Sequence, residues 1–482
     1  MNFRIIMRFN AILICFLGVS MALPLLVSLL YKDGSTRALL LSMFITALIG
    51  LILFFFTKKQ EDNYLSHRDG VAIVTIGWVM AGLFGTLPFI FSGTIPNFTN
   101  AFFESVSGFT TTGASIVTDI EGLPKGILLW RSLTQWFGGI GIILLSIAIL
   151  PFLGVGGMQL YKAEVPSPVV DKLKPRISET AKTLWKVYLL ITLIQIFLLF
   201  AGGMTVFDSV CHAFCTMPTG GFSTKNASIA HFNSAYFDTI FIIFMLLAGI
   251  NFSLHYRLIK GDFKVFGRNP ECRVFFALVG IFILIIALDI YGNVYESFSK
   301  AFRYAAFQVS SIITTTGFVT ADYEKWPALS QLILLSCMFM GAMAGSTGGG
   351  IKIMRIMLLL KHGYQQIFHI IHPHAVTTVK LGGKPVPQDI LNSIWGFFIL
   401  YIGLFIAATL IMAALGLDMI SAFSSVAASI GNIGPGLGMV GPANNYLDVP
   451  AVGKWVLIFC MLLGRLEIYT VILLLTPEYW RR

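Results

Sequence analysis

Apolar residues gather into runs long enough to cross a hydrocarbon layer of roughly 30 Å. These runs lie near 6–30, 38–57, 71–93, 127–150, 184–202, 236–254, 274–291, 328–344, 391–415 and 454–475. Between some of them lie mixed stretches such as NAFFESVSGF (100–109) and AFRYAAFQVSSII (301–313), which are too short to span. Each short stretch leads into a polar tract rich in glycine. The four tracts are TTTGAS (110–115), TMPTGGFS (216–223), a TTTG run ending at Gly317, and SIGNIGPGLG (429–438). The pattern predicts an all-α polytopic membrane protein whose long helices alternate with half-length ones.

Composition agrees with that class. Of 482 residues, 56% are hydrophobic and 12% charged, and the mean hydropathy is +0.82. A soluble domain carries about twice that charged fraction. No short hydrophobic region is followed by a small-residue cleavage site, so the first span is expected to be retained. The net charge of +10 points to topology rather than to nucleic acid. With ten spans and both termini inside, 23 of the 33 Lys and Arg fall on the inner side and 9 on the outer, and Arg465 lies within a span. That asymmetry follows the positive-inside rule. The six cysteines form no disulfide or zinc spacing, and Cys211, His212 and Cys215 read as part of a buried helix rather than a metal site.

The tracts define a repeat. Gly113, Gly221, Gly317 and Gly434 are 108, 96 and 117 residues apart, and Phe103 and Phe307 stand at the same offset before their glycines. The predicted organisation is a leading helix pair (1–70) followed by units at 71–159, 160–272, 273–360 and 361–482. A half-span helix followed by a polar turn reads as a re-entrant loop, because non-helical backbone at membrane depth is tolerated only when buried or lining a water-filled cavity. Entering from outside, such a helix aims its partially negative C-terminus at the cavity, which favours a cation. Four converging tracts would offer backbone carbonyls in place of the water around a potassium ion. The candidate filter residues are Thr111, Thr112, Gly113; Thr219, Gly220, Gly221; Thr315, Thr316, Gly317; and Asn432, Ile433, Gly434.

Several longer motifs make the chain resemble the Trk-type potassium uptake subunits of the Trk/Ktr/HKT superfamily. They are LPFIFS (87–92), LTQWFGGIGIILLSIAILPFLGVGGMQLYKAE (133–164), AGSTGGGIKI (344–353), NIGPGLG (432–438) and TPEYW (476–480). The resemblance implies two leading helices and four helix–pore-loop–helix units around one pseudo-fourfold pore in a bacterial inner membrane. It implies a homodimer, K+ as the transported ion with no organic cofactor in this chain, and a cytosolic TrkA-type subunit that binds ATP, ADP or NAD. Inner loops 160–186 and 256–273 are basic and offer such a partner a docking surface. Glycine at all four filter positions goes with potassium in this superfamily, and serine at the first is the sodium-preferring departure. The second and fourth tracts depart from TTTG.

The eighth span is abnormal, with Gly341, Gly345, Gly348, Gly349 and Gly350 close together. Each glycine costs about 1 kcal/mol relative to alanine inside a helix, so the helix is expected to break. The run superficially resembles a phosphate-binding loop, but Lys352 is displaced by one position and no Ser or Thr follows it. The resemblance instead implies an intramembrane gate formed by Gly345, Ser346, Thr347, Gly348, Gly349 and Gly350, to which Arg465 is added; Lys352 reads equally as a further part of the gate or as an anchor at the inner interface. Arg465 is read beside the pore below the filter, since a charge at that depth usually faces a cavity or a partner. Glu467, two residues on, is a poor partner for it.

The sequence leaves two other readings open. Potassium entry coupled to protons or sodium would need an embedded carboxylate, for which Glu104 and Asp289 are candidates. An enzyme would need a nucleophile with a base or a metal cluster, and neither His-Glu-x-x-His nor GxSxG occurs.

Overall fold

The computed structural model describes residues 3–57, 66–148 and 177–480. The predicted boundary at 159/160, the motif residues after Ala148 and the greater part of the basic loop 160–186 lie outside the described residues. Among those described, six helices are long and apolar enough to cross a membrane: Phe3–Tyr31, Thr36–Phe56, Arg68–Phe91, Glu179–Ala201, Pro270–Ile290 and Gln388–Ala414. Leu30, Phe56, Leu288, Ile399 and Leu410 on these helices are exposed, an apolar surface suited to lipid rather than water.

The short helices differ in kind. Phe98–Phe109, Val206–Thr216, Phe298–Ile313 and Met419–Ile430 each follow a long helix. Every residue from Ala101 to Phe109 is buried, as is every residue from Ser424 to Ile430. Three start with a side-chain cap: Asn97 accepts from the Asn100 amide, Thr205 from Asp208, and Asp418 from Ile420 and Ser421. Such caps satisfy orphan amides where the chain turns back into the protein. Four half-length helices therefore sit inside a jacket of long ones, as the alternation of run lengths predicts.

Two predicted spans are corrected. The run 236–254 is two helices, Ala235–Ala248 and Phe252–Ile259, bent by 102°, and the run 454–475 is Ala451–Arg465 and Tyr469–Leu475, bent by 119°. Gly249 packs so close to Thr314, Phe275 and Ala342 that a β-carbon would crowd them, and Asn251 caps the new helix at the Ser253 amide. At the second break, Glu467 and Ile468 both have positive φ, 62° and 37°. The expected break of the eighth span is present: helix Ala328–Met340 ends at Gly341, and helix Ile353–Ile371 starts after Lys352.

Candidate functional site

The four tracts share one backbone path. Thr111, Thr219, Thr315 and Asn432 have φ of 52°, 58°, 59° and 54°, and the glycines two residues later have φ of 80°, 78°, 80° and 99°. Non-glycine residues rarely occupy this region, so four at one register position mark a common constraint. The hydrogen bonds repeat as well. The amides of Thr112, Gly220, Thr316 and Ile433 donate to the carbonyls of Ser107, Cys215, Ser311 and Ala428 at 2.8–2.9 Å.

Contact between tracts closes a ring. A β-carbon on Gly113 would run into the Gly220 carbonyl oxygen, one on Gly221 into that of Thr316, and one on Gly317 into that of Ile433. One on Gly434 would lie 2.7 Å from that of Thr112. Each glycine thus faces the carbonyl just before the next glycine, and the fourth faces the first. All twelve predicted filter residues are brought together about one axis. Only glycine gives both this φ and this approach.

Nine residues before each glycine, on the short helix, stands a polar residue: Glu104, His212, Gln308 and Ser425. Three of them reach the segment leaving their own tract. Glu104 accepts from the Ser115 hydroxyl and the Ile116 amide at 3.0 Å each. His212 Nε2 lies 3.0 Å from Ser223 Oγ, while Nδ1 donates to the Asp208 carbonyl. The Gln308 amide faces Thr320 and Ala321. Ser425 instead donates to the Ala422 carbonyl within its own helix. Glu104 also forms a fully buried ion pair with Arg131 at 2.8 Å. The predicted carboxylate candidates are therefore both engaged structurally, since Asp289 accepts from the amide and hydroxyl of Ser330. Counting polar residues by offset from the glycines would have found this layer in the sequence. In the sequence His212 stands out only beside Cys211 and Cys215.

Below the tracts, residues 341–352 run as a non-helical segment through the protein interior. Thr347 Oγ1 donates toward the carbonyls of Met217 (3.0 Å) and Ala248 (3.2 Å), and the Gly349 amide donates to Thr315 Oγ1 at 2.7 Å. Arg465 donates to the Thr347 carbonyl at 2.6 Å and to that of Gly138 at 3.2 Å. Lys352 Nζ donates to the Gly348 carbonyl. Both predicted cations therefore hold this segment by its carbonyls, and among the described residues Arg465 makes no ion pair with a neighbouring helix. Glu467 pairs with Arg355, whose guanidinium lies over the Phe397 ring. Asn251 at the unpredicted break donates to the Ala344 carbonyl at 2.7 Å, and the Phe252 amide donates to that of Gly345. Glu271 accepts from the amides of Ala344 and Met354 at the two ends.

The outer carboxylates hold loops. Glu324 accepts from the Gly438 amide, while Asp119 and Glu121 accept from Asn226.

The likeness to known proteins runs the length of the chain. It is 46% identical over 486 residues to the Trk system potassium uptake protein TrkH of Salmonella typhimurium, with 100% of each chain covered. It is 36% identical over 490 residues to the Trk system potassium uptake protein TrkG of Escherichia coli, with 99% of each covered. Among solved structures, the potassium transporter TrkH from Vibrio parahaemolyticus superposes with a TM-score of 0.92 at 41% identity, with 100% of both chains covered. The TrkH family model, described as a cation transport protein, matches residues 36–482. The ring of tracts, the helical jacket around it and these matches agree: the chain is a polytopic membrane transport protein, not an enzyme, and it belongs to the TrkH family.

Proposed function

We propose that this protein carries potassium into a bacterial cell through a gated, channel-like pore. The observation that carries the reading is the ring: four glycines, each against the carbonyl of the following tract, set four backbones of the same conformation around one axis. Carbonyls arranged in this way replace an ion's hydration shell. The names of the relatives supply the ion. The filter is Thr111–Gly113, Thr219–Gly221, Thr315–Gly317 and Asn432–Gly434. The segment from Gly345 to Gly350 lies across the inner end of the path, and Arg465 and Lys352 keep it there while placing positive charge beneath the filter. A cation approaching from the filter meets both an obstruction and a repulsive field, so flux requires the segment to move.

The protein works as a homodimer in the inner membrane with both termini in the cytoplasm, and a TrkA-type nucleotide-binding subunit biases the segment toward its displaced position. This chain's own part in regulation is the bistable element. The nucleotide chemistry belongs to the partner.

Reversal potentials in proteoliposomes test the reading. A potential that follows the potassium gradient, unmoved by an imposed proton gradient, is expected. A reversal potential that shifts with the proton gradient means coupled symport and overturns the channel-like mechanism.

A further inference from the structure

The second tract is the one without a side chain at its middle position. Thr112, Thr316 and Ile433 occupy that position in the other three, and Gly220 occupies it here. The space is not empty. A β-carbon on Gly220 would fall on the side-chain amide of Gln135, which comes from helix Lys125–Ala148 of the preceding unit and is fully buried.

Both ends of that amide are used. Gln135 Nε2 donates to the Gly220 carbonyl at 2.6 Å, and Oε1 accepts from the Phe222 amide at 3.1 Å. The two bonds bracket Gly221 from either side and fix the amide's orientation, since a carbonyl only accepts and an N–H only donates. Helical spacing extends the contact. Arg131, one turn before, donates to the Ser223 carbonyl at 3.3 Å and lies over the Phe222 ring. Gly139, one turn after, packs against Pro218 closely enough that a β-carbon would collide with it. Residues four apart share a helix face, so positions 131, 135 and 139 follow the second tract from its outer to its inner end. No comparable side-chain amide grips the Thr112, Thr316 or Ile433 carbonyl among the described residues.

We propose that Gln135 is a positioning residue for ion selection: it supplies from the neighbouring unit the side chain that Gly220 lacks and holds the second tract in register with the other three. The proposal rests on residues 219–221 forming part of the filter. Gly220 has ordinary φ, unlike Gly221, so its backbone accepts a threonine once the amide is gone.

The test uses the full-length chain in a potassium-uptake-deficient bacterium and in proteoliposomes. It measures rubidium and sodium flux against the amount of folded protein. Gln135→Ala is expected to lower the rubidium-to-sodium ratio several-fold. Gly220→Thr alone is expected to lower rubidium flux by at least tenfold, because its β-carbon meets the amide. The double variant Gln135→Ala/Gly220→Thr is expected to recover most of the lost ratio. Gln135→Met keeps the bulk and removes both hydrogen bonds, so it reports on the same question if the alanine variant accumulates poorly. A double variant no better than the worse single one, or an unchanged ratio in both Gln135 variants, overturns the proposal. Gly221→Ser separates the two ideas. If it shifts the ratio while the Gln135 variants do not, the filter stands and the role of Gln135 falls. If none shifts the ratio, the filter reading falls with it.

Discussion

The ring of four tracts and the segment beneath it are built on opposite principles. Around the four tracts the same dihedrals and the same amide-to-carbonyl bonds occur four times. Below them, among the described residues, the second helix breaks in three units but each time differently: over 249–251 in the second, over 341–352 in the third and over 466–468 in the fourth, just after Arg465. Repetition suits a ring that must present equivalent oxygens to a spherical ion. Closure needs only one obstruction, so a single unit can depart from the pattern and its neighbours can adapt to hold it.

Changes to the buried supports of the ring have the largest expected effect. Glu104→Ala or Arg131→Ala leaves a buried charge without its partner, at a cost of about 3–5 kcal/mol. Thermal unfolding in detergent should show the loss, with little folded protein at growth temperature. Near-native stability of either variant would mean that the ring does not depend on this pair. Next in size is the inner half. Arg465→Ala removes charge-assisted bonds to two carbonyls, each worth about 1.5–3 kcal/mol, and basal rubidium flux without the partner subunit is expected to rise about tenfold. Shortening 345–350 should act in the same direction. Flux that falls or stays level in well-folded protein would break the assignment of closure to this half.

Gly113→Ser acts on selection rather than closure. It is expected to cut the preference for potassium over sodium by about tenfold, equivalent to about 1.4 kcal/mol, with basal leak unchanged. Reversal potentials in mixed ions measure it, and an unchanged preference would remove the tract from the filter. The smallest effect belongs to the outer mouth, where Lys325 is largely exposed beside Asp322 at 3.1 Å. Exposed pairs of this kind contribute about 0.2–1 kcal/mol, so Lys325→Ala should leave stability and selectivity within error.

The repeated half was legible in the sequence because its pattern occurs four times. Gly113, Gly221, Gly317 and Gly434 recur at similar spacing, each after a helix too short to span, and the structure brings all four together. The break of the eighth span was legible because five glycines within ten residues disfavour continuing a helix. The other two breaks were hidden. Ile468 is β-branched and follows Glu467, and neither residue type advertises a positive φ; the break depends on Glu467 reaching Arg355 on a distant helix. At Gly249 the cause is the close approach of Thr314 and Ala342, which only the assembled fold supplies. The role of Gln135 is hidden in the sequence for the same reason. A lone glutamine in an apolar helix gains its meaning from a missing side chain 85 residues away.

The closed ring of glycines and carbonyls also has an experimental consequence. In a pore assembled from four identical chains, every substitution arrives in quadruplicate and its effects on the four sides cannot be separated. Here the four quadrants lie on one polypeptide and can be altered singly, in adjacent pairs or in opposite pairs. The chain therefore offers graded doses of asymmetry, and from them a direct count of how many intact quadrants an ion needs to be recognised.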